Sequence, residues 1–230
     1  EQKKQVWQLI KTKSTSIEKF PRLIGNCIGG GKHSHANKKP DFQEFLIIPN
    51  LKSVKESFEK NKKIKGQLEQ DLKEKDEKFK EEKTDENAWM TSLNEKEILE
   101  ILKRYKVPLG IDVAASAFYK RGKYHYQNPM LKRTEEEQFS YIENLIKNFN
   151  IFYIEDPFNE EDFDSFAKLL KKFPYSLIVG DDLTTTNIKR IKEAHNKSAC
   201  NGVILKPNQI GTVTETISAG KLAKSFEWKT

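Results

Sequence analysis

The sequence predicts an α/β protein built as a β/α barrel, and three observations carry that reading. From Asn94 onward, short apolar strands alternate with amphipathic helices over short connections. The strands PLGIDVA (108–114), IFYIE (151–155), SLIVG (176–180) and GVIL (202–205) are near-continuous apolar runs, as expected of strands covered on both faces in a parallel sheet with helices outside. No Gly-x-Gly-x-x-Gly follows the first of them, which argues against a dinucleotide-binding sheet and for a barrel.

The elements follow in order. Gln5 to Lys11 reads as a short amphipathic stretch. Gly29-Gly30-Gly31 marks a turn, with His33 and His35 after it, and Phe42 to Pro49 (FQEFLIIP) reads as a strand stopped by proline. Around Lys52 to Lys83, Leu51, Val54, Phe58, Leu68, Leu72 and Phe79 recur at roughly helical spacing among Lys and Glu. That composition fits a solvated helix or a partly disordered surface insertion; the alternative is a partner-binding coiled coil, for which the heptad pattern is short and broken. Helices are expected over Asn94–Tyr105, Thr134–Phe149, Asp162–Phe173, Asn187–Asn196 and Thr212–Phe226, and Trp228-Lys229-Thr230 reads as the opening of a further strand. The chain opens and closes as a fragment would. Residues 1–24 form a lead-in, and residues 25–230 form one partial barrel with a charged stretch at about 52–84.

Composition narrows the function classes. Hydrophobic residues make up 36% of 230, enough for a sizeable core. The net charge of +7 and pI near 9.1 would suit nucleic acid, but Lys is interleaved with Glu and no basic stripe alternates with aromatics, so no such partner is expected. Cys27 and Cys200 lie too far apart to suggest a disulfide framework, which fits a reducing compartment. No apolar run approaches the ~18 residues of a membrane span. A cytoplasmic protein is expected.

The ionisable residues are placed systematically. Asp112 ends its strand, Glu155 ends IFYIE, Asp181 follows SLIVG and Lys206 follows GVIL. The carboxyl ends of barrel strands form the mouth where active sites are built. Three converging carboxylates require a divalent cation, and hard oxygen donors without a thiol or imidazole cluster point to Mg²⁺ or Mn²⁺. Lys206 is then a candidate base, if the cation and partial burial lower its pKa. Asp156 and Asp182 read equally well as helix caps.

These strings carry a resemblance. GIDVAAS, IEDPF, GDDLTTTN and ILKPNQIGTVTET, in this order, and GGGKHSHANKKPDFQEF before them, are similar to the barrel motifs of the enolase family. The resemblance runs from about Gly25 to Thr230. It implies a TIM-type barrel, here roughly six of the eight strands, without the family's N-terminal lobe and last strands. It implies that Asp112, Glu155 and Asp181 bind Mg²⁺ and that Lys206 removes the proton from the carbon bearing the phosphate. It also implies that Gln43 and Glu44 are the polar pair beside the substrate, and that His35 is the loop histidine closing on it, His33 being a surface residue.

Glu86 matches the acid that assists departure of hydroxide. The family's Asp-Glu-Gly-Gly segment is here Asp85-Glu86-Asn87-Ala88. Asn87 stands where glycine is usual, and asparagine tolerates a positive φ well. Ala117 replaces a common acidic residue with no implied role. The activity implied is the Mg²⁺-dependent interconversion of 2-phosphoglycerate and phosphoenolpyruvate in glycolysis, by a homodimer acting on a small molecule. The 230-residue piece by itself is expected to be inactive. The alternative is a non-catalytic, enolase-like binding or structural protein.

Overall fold

Near-continuous apolar strands, two helices ahead of the third strand and helical connections after the later ones set the architecture. The computed structural model describes residues 21–230; the Gln5–Lys11 stretch and most of the lead-in 1–24 lie outside the described residues. The main sheet holds β1 (Gly25–Gly29), β2 (Glu44–Ile47), β3 (Leu109–Asp112), β7 (Ile151–Glu155), β8 (Leu177–Gly180) and β9 (Gly202–Val203), adjacent in that order. From β3 onward the strands run parallel, as expected. The first two do not: β1 pairs antiparallel with β2, and β2 antiparallel with β3. Two helices, α1 (Val54–Lys75) and α2 (Glu95–Lys103), lie between β2 and β3. Two consecutive helical passes bring the chain back reversed, whereas a single crossover returns it parallel. Beyond β9, Lys229 makes a parallel bridge to Gly202, its N–H donating to the Asn201 carbonyl at 3.0 Å, so the last residues do begin to extend the sheet.

Each later strand is followed by a helix: α3 (Glu135–Phe149), α4 (Phe163–Lys172), α5 (Ile188–Asn196), and then a short α6 (Pro207–Ile210) with α7 (Val213–Ser225). An antiparallel meander of β4 (Tyr119–Lys120), β5 (Lys123–Gln127) and β6 (Met130–Arg133) intervenes before α3 and was not anticipated. Its signals are local. Arg121 and Gly122 take φ of 53° and 76°, the two positive values that a tight hairpin turn needs, and Tyr124 and Tyr126 alternate inward.

The segment read as a solvated helix or a partly disordered insertion is a helix over Val54–Lys75, and one face of it is buried rather than solvated. Ser53 and Glu56 cap α1 reciprocally. Ile64, Leu68 and Leu72 fall on one face and are completely buried in the main core, while Phe58 and Leu51 stay exposed. The dense charge masks a three-residue apolar stripe at i, i+4, i+8.

Packing divides into two layers. Outward-facing Phe45, Ile47, Ile111, Ile154 and Ile178 pack with the helices. A smaller interior cluster is formed by Leu46, Ile48, Tyr153 and Val179. Leu46, Gly110, Tyr153 and Leu177 share one register row, and Glu44, Asp112, Glu155 and Val179 the next. Gly110 leaves room for the Tyr153 ring, since a Cβ there would lie 3.1 Å from Tyr153 Cβ and 3.2 Å from Leu46 Cβ.

Below the strand ends, Asp41 accepts the N–H groups of Gln127 and Asn128 and donates its own to Glu95 Oε1 at 2.7 Å. Burial pushes Glu95 up to about 7. A carboxyl raised on folding contributes stability that is complete below its ordinary value and lost as pH rises through the folded one. Glu95→Gln is therefore expected to gain on wild type by on the order of 3 kcal/mol between about pH 4 and pH 8. Urea midpoints of the two proteins that stay a constant distance apart over that range would contradict this.

Candidate active site at the strand ends

The register rows bring the predicted acids together. Asp112 and Glu155 are direct partners across β3 and β7, and Glu155 faces Val179, two residues before Asp181. All three are buried. Lys206 lies just past β9, its N–H donating to Thr186 Oγ1 at 2.9 Å. Sheet order therefore reads Glu44, Asp112, Glu155, Asp181, Lys206 around the mouth.

Each carboxylate has a donor. Gln43 Nε2 donates to Asp112 Oδ2 at 3.0 Å, and the Ala114 N–H to Oδ1 at 3.0 Å. The Tyr153 hydroxyl donates to Glu155 from below. Lys206 Nζ donates to Asp181 Oδ2, with Gln209 Nε2 on Oδ1 at 3.2 Å. Burial, then the charges of Glu155, Asp156 and Glu44, hold Asp112 well above the ordinary carboxylate range. Burial lifts Glu155 to about 7 against the opposing Tyr153 hydrogen bond.

Partial burial is not enough to lower Lys206, which lies above its ordinary value. Burial does pull it down, but the ion pair with Asp181 and the charges of Glu155 and Asp112 outweigh burial, and the direction is up. Neutralising those carboxylates is what would reverse it.

The donor set suits a hard divalent cation: buried oxygens only, on adjacent strand ends, with mutual repulsion that a cation would relieve. Gln43, Tyr153 and Lys206 each hydrogen-bond one of the three carboxylates. Among the described residues, the trio of ligating side chains within 4.8 Å of one another is instead His33, Glu44 and Glu86.

That trio is built by a tight loop. Thr84 and Ala88 close it, the Thr84 N–H donating to the Ala88 carbonyl at 2.8 Å and the Asn87 N–H to the Thr84 carbonyl at 2.9 Å. Asn87 sits at φ 62°, the left-handed position that asparagine tolerates in place of glycine. Gly29 lets the loop approach, since a Cβ there would lie 2.6 Å from Thr84 Cγ2. The loop sets Glu86 against Glu44, with Asn26 Nδ2 donating to Glu86 Oε2 at 3.0 Å. Burial, the hydrogen bond to Glu86 and the charges of Glu86 and Glu155 lift Glu44 to about 9; its bond with Glu44 is the main cause holding Glu86 below the ordinary range. The two carboxyls are thus shifted in opposite directions.

His33, not His35, joins this pair. His33 Nε2 lies 3.9 Å from Glu86 Oε1, and its Nδ1 2.8 Å from Asp85 Oδ1. The His35 side chain is 72% exposed, 3.7 Å from Glu82, and lines a separate cleft with Lys38, Lys78 and Lys80. The signal was present in the sequence, because Gly30-Gly31-Lys32-His33 is itself a Gly-Gly-x-His string.

Asp156 and Asp182 cap no helix. Asp162 caps α4 and Asn187 caps α5, while Asp156 accepts the N–H groups of Asp181 at 3.2 Å and Asp182 at 2.7 Å, fixing the loop after β8.

Comparison with known proteins agrees with this geometry. Residues 18–230 match the family described as "Enolase, C-terminal TIM barrel domain". The enolase of Pyrobaculum aerophilum is 40% identical over 219 residues, covering 90% of this chain and 52% of that protein. The enolase of Methanosphaera stadtmanae is 39% identical over 223 residues, covering 91% and 54%. That of Natronomonas pharaonis is 36% identical over 216 residues, covering 89% and 53%. The chain spans about half the length of the curated relatives it matches. A match running through nearly every described residue, on a row of acids ending in a lysine, settles the kinship: this chain belongs to the enolase family and lies in its C-terminal TIM-barrel domain.

Proposed function

We propose that the protein carrying this barrel is a phosphopyruvate hydratase, a lyase that reversibly dehydrates 2-phosphoglycerate to phosphoenolpyruvate with Mg²⁺. The observation that carries the reading is the order around the mouth. Lys206 stands at one end of the carboxylate row and the Glu44–Glu86 pair at the other, so a base and an acid would face a substrate from opposite sides.

Asp112, Glu155 and Asp181 would hold the Mg²⁺. Bound there, the ion supplies positive charge to the substrate carboxylate as the enediolate develops. Pairing a lysine base with Mg²⁺ is established for the enolase superfamily. With the carboxylates neutralised by the cation, Lys206 would give up its ammonium proton to solvent, and the neutral Nζ then takes the proton from the carbon bearing the phosphate. The Glu44–Glu86 pair then supplies its proton to the departing hydroxide, which leaves as water while the carbon–carbon double bond forms. His33 orients Glu86, and Gln43 holds Asp112.

A homodimeric assembly and a cytoplasmic location belong to the same proposal. Among the described residues no helix is long and apolar enough to cross a membrane.

The full-length protein with 2-phosphoglycerate is expected to form phosphoenolpyruvate, read by its ultraviolet absorbance. The signal should vanish with a chelator and return with added Mg²⁺. No product at saturating Mg²⁺ would sink the proposal in favour of a non-catalytic binding protein.

A further inference from the structure

Among the described residues, the hydrogen bonds between the charged helix α1 and the acid loop are made by Lys65. Lys65 Nζ donates to the backbone carbonyl of Asn87, the residue after Glu86. The indole N–H of Trp89 donates to the Lys65 carbonyl at 2.9 Å. Trp89 is itself held by the Phe79 ring, centroids 5.8 Å apart, and by Lys83 Nζ 4.4 Å above its ring. Lys65 sits one position after Ile64, whose burial anchors this part of α1 in the core. One residue of a rigid helix thus grips the loop at two points, one directly beside Glu86 and one just beyond it.

The loop needs that grip. Its tip, Asp85-Glu86-Asn87, is closed by backbone bonds at its neck and carries Asn87 in the left-handed region. The Asn87 carbonyl points away from that closure and is satisfied by Lys65. A loop tip without such an anchor opens at small free-energy cost, and a displacement of about 1 Å in a reacting group costs up to ~10²-fold in rate.

We infer that Lys65 is a positioning residue for the dehydration step, holding the Glu86 loop so that Glu86 stays against Glu44. The inference rests on the activity proposed above. It gives α1 a part in the chemistry, with Lys65 acting through the Asn87 backbone and touching no substrate.

The test uses the full-length protein, with Lys65→Met keeping the aliphatic stem and Lys63→Met, at an exposed position of α1, as the charge control. Two readouts are taken. Hydrogen exchange of the peptide spanning residues 84–89, measured by mass spectrometry without substrate, is expected to speed up ~10-fold in Lys65→Met and stay at the wild-type rate in Lys63→Met. Net formation of phosphoenolpyruvate is expected to fall ~10–100-fold in Lys65→Met, with α-proton exchange into deuterated solvent nearly unchanged. Lys65→Arg should restore part of the loss. Wild-type protection of residues 84–89 in Lys65→Met, or an equal loss in both chemical steps, overturns the inference. A wild-type protein that neither exchanges nor dehydrates counts against the proposed activity, and the peptide exchange still decides whether Lys65 holds the loop.

Discussion

Lys206→Ala in the full-length protein is expected to slow exchange of the substrate's α-proton with solvent deuterium by about 10²–10⁴-fold, the usual contribution of a positioned base. Exchange reports proton removal alone, before hydroxide departs. Mg²⁺ binding should persist, because the proposed mechanism makes Lys206 the base and not a ligand. Lys206 donates to Asp181, so its removal frees that carboxylate from a competing cation, and Mg²⁺ affinity measured by calorimetry should stay level or rise. Exchange at the wild-type rate in Lys206→Ala would mean that the base lies elsewhere. Loss of Mg²⁺ binding would mean that the lysine supports the metal-binding row rather than the substrate.

Glu86→Gln should divide the reaction at the other step. The glutamine keeps the volume and can still accept from Asn26, but it cannot share a proton with Glu44. Formation of phosphoenolpyruvate is expected to fall about 10²–10⁴-fold while α-proton exchange continues. The pH profile should move as well. Burial is the first cause that holds Glu44 near 9 and its partner Glu86 the next. Without the second carboxylate, the basic limb of the dehydration profile should shift to lower pH yet stay above the ordinary carboxylate range. Equal losses in both steps would remove Glu86 from the acid role.

Much of this arrangement was legible in the residues, for a definite reason. A barrel strand exposes its chemistry at one end, so Asp112, Glu155, Asp181 and Lys206 stand out against apolar runs that leave little else to weigh. The strand directions at the start of the sheet were not legible, because reversal of β3 relative to β2 depends on counting two helices, and α1 was masked by its charge. Its buried stripe of Ile64, Leu68 and Leu72 is sparse against Lys and Glu. His33 and His35 stand two residues apart behind three glycines, and spacing alone allows either to be the loop histidine. Only the three-dimensional course of the loop, with Gly30 pressed against the Pro40 and Phe42 carbonyls at 2.5 Å from a would-be Cβ, turns His33 toward Glu86. The pairing of Glu44 with Glu86 joins residues far apart in the chain and could come only from the fold. The rise in the Lys206 pKa has the same origin, since it depends on which carboxylate the ammonium meets.

Glu155 and Asp156 are adjacent in the chain and do unrelated work. Glu155 stands in the interior row beside Asp112, and Asp156, at φ 40°, turns back to collect the amides that open the loop after β8. A slip of one residue in β7 would put both acids out of these places. One direction would bring Ile154 into the interior row, and the other would bring Pro157 to the loop amides. The placement of the interior acid and the closure of the loop after β8 thus depend on one and the same register.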